Sequence, residues 1–317
     1  MWLPCILGDD RTAWSRTNGG RLMRRMRRRG TAILIALAVL FSVAAAPVDA
    51  LTLRRTWTAK LGTNGSAGGI SLKAYTNGTG SIRYSLKGLR ANATYGVQIR
   101  YGTCARLGSL AQGLTPVKAS STGTVWRVDS VSSGPMIWVW KAARRSAFAV
   151  RIVSGTSVRC GNFTFTHATR VAVPGLGIDL PVIRGPSGYP LCGVAMYLAS
   201  VAQPREPGIT YIYAHARTGM FLPLLTRWRI DRGASLIGRT VKVWTSDSYV
   251  SSYRITKVRV TAYAVAGATS LTHERLWLQT STGPNTSYPK LIVEAARYST
   301  VKTTYAASHP TPHPYSC

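Results

Sequence analysis

Acidic side chains are scarce in this 317-residue chain. Ten Asp and Glu stand against forty Lys and Arg, leaving a formal charge of +30. No two cysteines are separated by only two residues, so a structural zinc site is not supported, and no metal or other cofactor is expected. No nucleic-acid-binding signature accompanies the charge. The basic residues are scattered rather than gathered on one element, which argues against a nucleic-acid partner. The apolar run from Ala32 to Ala46 falls short of the ~20 residues that a spanning helix prefers. Aliphatic and aromatic content is ample for two ordinary cores, which excludes global disorder.

The charge is not confined to the start of the chain. From position 51 onward, 32 basic residues face 7 acidic ones, a balance of +25. Such a field attracts anionic surfaces, and cell-envelope polymer or lipid is the partner it points to. Residues 1–50 read as a targeting segment. Arg24-Arg25-Met26-Arg27-Arg28-Arg29 supplies the positive start, Ala32 to Ala46 the apolar stretch, and Val48-Asp49-Ala50 small residues for cleavage before Leu51. Export is the expectation. The segment is either a signal peptide that is removed or an anchor that holds the protein at the outer face of the cytoplasmic membrane.

Export gives the cysteines an oxidising setting. Cys104 and Cys160 share the first folded segment, near glycines at expected strand ends, and are expected to pair. Closing that loop of more than fifty residues would stabilise the fold by roughly 3–4 kcal/mol. Cys192 and Cys317 have no evident partners except each other.

Residues 51–168 read as strands and turns throughout. Alternating runs at Ile70–Tyr75, Ser81–Leu86 and Tyr95–Arg100 are followed by Gly123–Val128, Met136–Trp140 and Ala147–Val153, with Asn64-Gly65, Asn77-Gly78 and Ser133-Gly134-Pro135 as turn signals. Short strands at this spacing predict a disulfide-bonded β-sandwich. The order Tyr-Gly-Val-Gln-Ile-Arg-Tyr-Gly-Thr-Cys at 95–104, with Val-Arg-Cys-Gly-Asn-Phe at 158–163, is faintly similar to copper–zinc superoxide dismutase sandwiches. Gln98 and Arg100 stand where that family's copper-binding histidines would fall, so no metal chemistry is implied.

Residues 169–300 show a mixed order. Val171 to Ile183 gives one or two strands, Cys192 to Val201 a short apolar helix, and Met220 to Trp228 another. Strands are expected at Thr240–Trp244, Ser252–Val260 and Lys290–Ala295, which fits a small closed β-barrel. Residues 301–317 read as a flexible tail, since prolines between His309 and His313 forbid the helix that would align them on a metal.

Two stretches of this second half need each other. Tyr211-Ile212-Tyr213-Ala214-His215 and Leu276-Trp277-Leu278-Gln279-Thr280-Ser281 both alternate as strands do, and each is followed by small or turn-forming residues. An imidazole at one strand end and a hydroxyl at another can serve nucleophilic acyl transfer if the ends meet in space. Ala-His-Ala-Arg-Thr-Gly-Met-Phe at 214–221 and Leu-Trp-Leu-Gln-Thr-Ser at 276–281 resemble the signature strands of sortases, the cell-surface cysteine transpeptidases. Ile-Asp-Leu-Pro-Val-Ile at 178–183 is similar to that family's opening strands.

The resemblance implies a sortase-like barrel, a peptide substrate on surface protein or cell wall, and a histidine–nucleophile–arginine site. His215 would move protons. The nucleophile's position holds Ser281 rather than cysteine, and the arginine's position holds Lys290, with Arg297 a substitute if the register differs. A serine must surrender its proton during attack, which needs a neutral histidine and usually an orienting acid. Asp179, Asp247 and Glu294 are the candidates, and no motif places any of them. Cys192 is the alternative nucleophile if its helix packs beside the His215 strand. Two readings stay open: a transpeptidase or hydrolase working through Ser281 and His215, or a catalytically silent module that binds an anionic envelope ligand.

Overall fold

The computed structural model describes residues 52–62, 65–145, 147–185, 190–262, 273–283 and 289–317. The targeting segment at 1–50 lies outside the described residues. Asp49–Cys317 forms one compact unit. Among the described residues, no helix is long and apolar enough to cross a membrane.

The first eight strands are β1 (Leu53–Lys60), β2 (Gly68–Tyr75), β3 (Gly80–Leu86), β4 (Thr94–Thr103), β5 (Arg106–Lys118), β6 (Val125–Val131), β7 (Phe148–Ser154) and β8 (Ser157–Thr164). They form one antiparallel sheet in the order β5-β4-β7-β8-β1-β2-β3-β6. Alternate residues turn inward along strands such as β2, where Ile70, Leu72 and Ala74 are buried. The β8–β1 seam shows only the pairs Thr58↔Thr164 and Ala59↔Phe163. Across it, Trp57 and Phe148 meet edge-to-face at 6.0 Å in a common apolar core. The expected sandwich is therefore a single curled sheet whose halves share one interior. The Cys104–Cys160 bond forms as expected.

One element departs from expectation. Met136–Trp140 is part of a helix, α1 (Ser133–Arg145), not a strand. Met136, Val139, Ala142 and Ala143 are the buried positions, whereas Ile137 and Trp138 are exposed. Intervals of three and four residues are a helical period, and the apolar run conceals it.

The second half is a closed barrel. Its strands are β9 (Ala168–Val173), β10 (Ile178–Arg184), β11 (Ala195–Tyr197), β12 (Ile209–Tyr213), β13 (Thr240–Thr245), β14 (Tyr249–Thr261), β15 (Arg275–Ser281) and β16 (Lys290–Lys302). Around the barrel they run β10-β11-β12-β15-β16-β14-β13-β9. Helix α2 (Leu222–Asp231) follows β12 where a short helix was expected, with Leu224 and Leu225 buried against the barrel. Ile212, Leu276, Leu278 and Val293 fill the interior, while Tyr211 and Trp277 belong to a second cluster with Ile292. Each buried aliphatic of this kind contributes about 1.5–3 kcal/mol.

Two further expectations are corrected. Cys192–Val201 is not a helix: its centre is β11, hydrogen-bonded to both β10 and β12. Those ladders satisfy the backbone that a helix would otherwise have to satisfy, and Gly193 at φ +76° turns the chain before them. The residues after 301 are no free tail either. β16 continues to Lys302, α3 (Tyr305–Ser308) follows with Thr304 as its N-cap, and Tyr315 forms a two-way backbone bridge with Cys192. A Cβ on Gly193 would lie 2.7 Å from the His313 carbonyl oxygen, so glycine is what admits the segment. Cys192 and Cys317 close the second disulfide.

Candidate functional site

β12 and β15 run parallel, with Tyr211 opposite Trp277 and Tyr213 opposite Gln279. The Ala214 N–H donates to the Gln279 carbonyl at 3.1 Å, carrying the ladder past the end of β12. Two residues beyond the Tyr213–Gln279 pair stand His215 and Ser281. Neighbouring strands lie about 4.8 Å apart. The imidazole and the hydroxyl thus leave the same end of the barrel from adjacent strands.

His215 is half-buried at the turn into α2, where its carbonyl accepts from the Phe221 N–H at 3.0 Å. Its Nε2 lies 2.7 Å from the Pro190 carbonyl oxygen. A carbonyl only accepts, so Nε2 carries the hydrogen, and in the neutral ring Nδ1 is left as the basic nitrogen. Pro190 thus fixes the tautomer, a task that an acid performs in other serine–histidine sites.

Ser281 closes β15 and is paired with Lys290, the first residue of β16. Lys290 Nζ donates to Ser281 Oγ at 3.4 Å. Desolvation holds the Lys290 ammonium below its ordinary pKa. The turn beyond Ser281 is braced by α2, since Arg229 donates to the Thr282 carbonyl at 3.3 Å.

Arg297 is not brought to this site. It lies seven residues further along β16, about 23 Å at ordinary strand rise. There its Nε donates to Glu274 Oε2 at 2.6 Å. The register β15 keeps with β16, Ser281 opposite Lys290 and Leu276 opposite Ala295, places Lys290 at Ser281 and leaves Arg297 beyond the opposite end of β15. The three candidate orienting acids are engaged elsewhere: Asp179 by Arg170, Asp247 by Arg205 and Glu294 by Arg259.

Cys192 does reach the site, but not as a free thiol. It is 1 % exposed and bonded to Cys317, and a disulfide sulfur carries no thiolate with which to attack a carbonyl. Both sulfurs and a ring nitrogen of His215 lie within 4.8 Å of one another. Sequence reading missed Pro190, because a main-chain acceptor has no residue signature. It also missed Arg229, one arginine of many in a basic chain.

Comparison with known proteins gives a family match over the barrel. Residues 171–298 match the family model described as the Sortase domain. No curated protein sequence matches the chain. Among solved structures, Listeria monocytogenes sortase A is similar at 19% identity over 45% of this chain and 96% of that one, with a TM-score of 0.36. The Group B Streptococcus Pilus Island 1 sortase C2 is similar at 19% identity over 41% and 73%, TM-score 0.34. Streptococcus pneumoniae sortase C-1 is similar at 22% over 41% and 66%, TM-score 0.34. By this match, the barrel region of the chain, residues 171–298, is similar to the sortase family.

Proposed function

We propose that this is an exported acyl-transfer enzyme of sortase type that acts on peptides of surface protein or cell wall, with Ser281 as nucleophile and His215 as proton carrier. The observation that carries the reading is the parallel pairing of β12 with β15, whose last pair, Tyr213 with Gln279, lies two residues before His215 and Ser281. Ser281 Oγ attacks the peptide carbonyl while its proton passes to His215. Collapse of the tetrahedral species breaks the C–N bond, and the amine leaves with that proton. The acyl ester on Ser281 is then taken by a second amine, giving transfer, or by water, giving hydrolysis. Lys290, 3.4 Å from Ser281 Oγ, supplies the positive charge that steadies the oxyanion.

The surroundings of the site suit an envelope location. Seven acidic residues fall among the described positions, and six of them are spent on internal ion pairs with arginine. The basic excess from position 51 onward is left to meet anionic polymer or lipid. Residues 1–50 would deliver the protein there, as a signal removed or an anchor retained.

The test is a hydroxyl-reactive acyl probe on the purified protein, with the adduct mapped by mass spectrometry. Labelling at Ser281 that is lost in His215→Ala is the expected result. An unlabelled Ser281 in folded protein would overturn the enzyme and leave a silent module that holds an anionic envelope ligand.

A further inference from the structure

We propose that Cys192–Cys317, together with His215, is a thiol–disulfide exchange centre that takes electrons from an external dithiol, and that opening it leaves the segment around Tyr315 tied to Cys192 by its backbone bridge alone. The proposal needs the disulfide and the imidazole only, and it stands or falls independently of Ser281.

Three observations meet at this one place. The two sulfurs and a ring nitrogen of His215 lie within 4.8 Å of one another. The two sulfurs are unequal: Cys317 is exposed, whereas Cys192 is 1 % exposed. The imidazole is also held in place, because His215 Nε2 donates to the Pro190 carbonyl at 2.7 Å, and Cys317 Sγ lies 3.9 Å from the same oxygen.

Exchange follows from that asymmetry. A thiolate of the dithiol reaches the exposed Cys317 Sγ and forms a mixed disulfide. The electron pair of the broken S–S bond goes to Cys192, which leaves as a thiolate beside His215. A leaving thiolate departs faster the lower its pKa, and an adjacent imidazolium lowers it. The second thiol of the reductant then attacks its own mixed disulfide and releases Cys317. One protein disulfide and one dithiol become one protein dithiol and one disulfide, with two electrons and two protons passing to the protein. What then remains between the segment and Cys192 is the backbone bridge, the Cys192 N–H to the Tyr315 carbonyl at 2.9 Å and the Tyr315 N–H to the Cys192 carbonyl at 3.2 Å. That bridge keeps Cys317 near enough for reclosure.

The second disulfide serves as an internal control. Cys104 and Cys160 are both half-buried, with Cys160 inside the β8 ladder and the Cys104 N–H tied to Asn162 Oδ1 at 2.7 Å. Neither of its residues is as exposed as Cys317, and it holds no place beside His215.

The experiment treats the oxidised full chain with graded dithiothreitol, traps thiols with iodoacetamide and maps the modified peptides. Cys192 and Cys317 are expected to open at roughly a tenth of the dithiol concentration that opens Cys104–Cys160. In His215→Gln their opening is expected to slow about tenfold, with the Cys104–Cys160 rate unchanged. His215→Asn, a second variant without the basic ring nitrogen, is expected to slow the opening likewise. It keeps the test decisive if the first variant fails to fold. Simultaneous opening of the two disulfides, or an unchanged rate in folded His215→Gln or His215→Asn, would each reduce the bond to a plain staple and overturn the proposal.

Discussion

Arg55 of β1 reaches across to the barrel and is clamped by Glu206, Nη2 to Oε2 at 2.7 Å and Nε to Oε1 at 2.8 Å, with 1% of its side chain exposed. The same guanidinium donates to the carbonyls of Ala199 and Val201 and lies over the rings of Phe165 and Trp140. A buried cation of this kind is tolerated because each of its three nitrogens has an acceptor, and removal of its counter-ion leaves the desolvation uncompensated.

Glu206→Gln is therefore expected to destabilise the protein by about 3–5 kcal/mol, far more than a surface pair would. Urea unfolding followed by tryptophan fluorescence measures it. Because the clamp joins sheet to barrel, one transition in the wild type should separate into two in the variant. A loss within the range of an exposed pair would show that Arg55 is held by its aromatic and carbonyl contacts alone.

Lys290 makes a prediction about pH. Its burial lowers the ammonium pKa from the ordinary 10.5, so the charge near Ser281 is lost earlier on the alkaline side than a free lysine would lose it. If that charge steadies the oxyanion, acylation of Ser281 falls as pH rises through this depressed value. Lys290→Met should slow labelling about a hundredfold at neutral pH. Lys290→Arg should keep part of the rate and abolish the alkaline fall, since a guanidinium stays charged there. A rate that climbs through the same window would make Lys290 a base instead.

Much of this arrangement was legible in the residues, and the illegible parts share a cause. The β12 and β15 strands announce themselves by alternation, and His215 and Ser281 by the motifs around them. Cys104 and Cys160 sit in one segment with no rival partner. Expectation failed where long-range pairing decides the outcome. Ala195–Tyr197 is strand because β10 and β12 flank it, and no local pattern encodes those neighbours. Arg297 and Lys290 share β16, and only the β15–β16 register tells which of them stands at Ser281. The residues after Lys302 look like linker, yet the Cys192 bridge and disulfide draw them onto the barrel. The α1 error has a different cause: Met136-Ile137-Trp138-Val139-Trp140 is apolar throughout, and only burial exposes its helical period.

His167, in the short link between β8 and β9, predicts how the fold meets acid. Burial above all holds its pKa below the ordinary 6.5. The nearby charges of His309, Arg184 and Arg55 push the same way, and the Phe165 carbonyl, 2.9 Å from Nδ1, resists. The unfolded chain therefore takes up this proton before the native one does. Stability should fall as pH drops below about 6.5, by at most about 1.4 kcal/mol per pH unit, and level off below the depressed native value. The ring stacks on Tyr197 at 5.4 Å, so His167→Phe keeps the aromatic packing while removing the titration. Urea midpoints measured from pH 7.5 to 4.5 are expected to decline less steeply in that variant through the histidine range. Parallel declines in the two proteins would assign the acid sensitivity to the carboxylates.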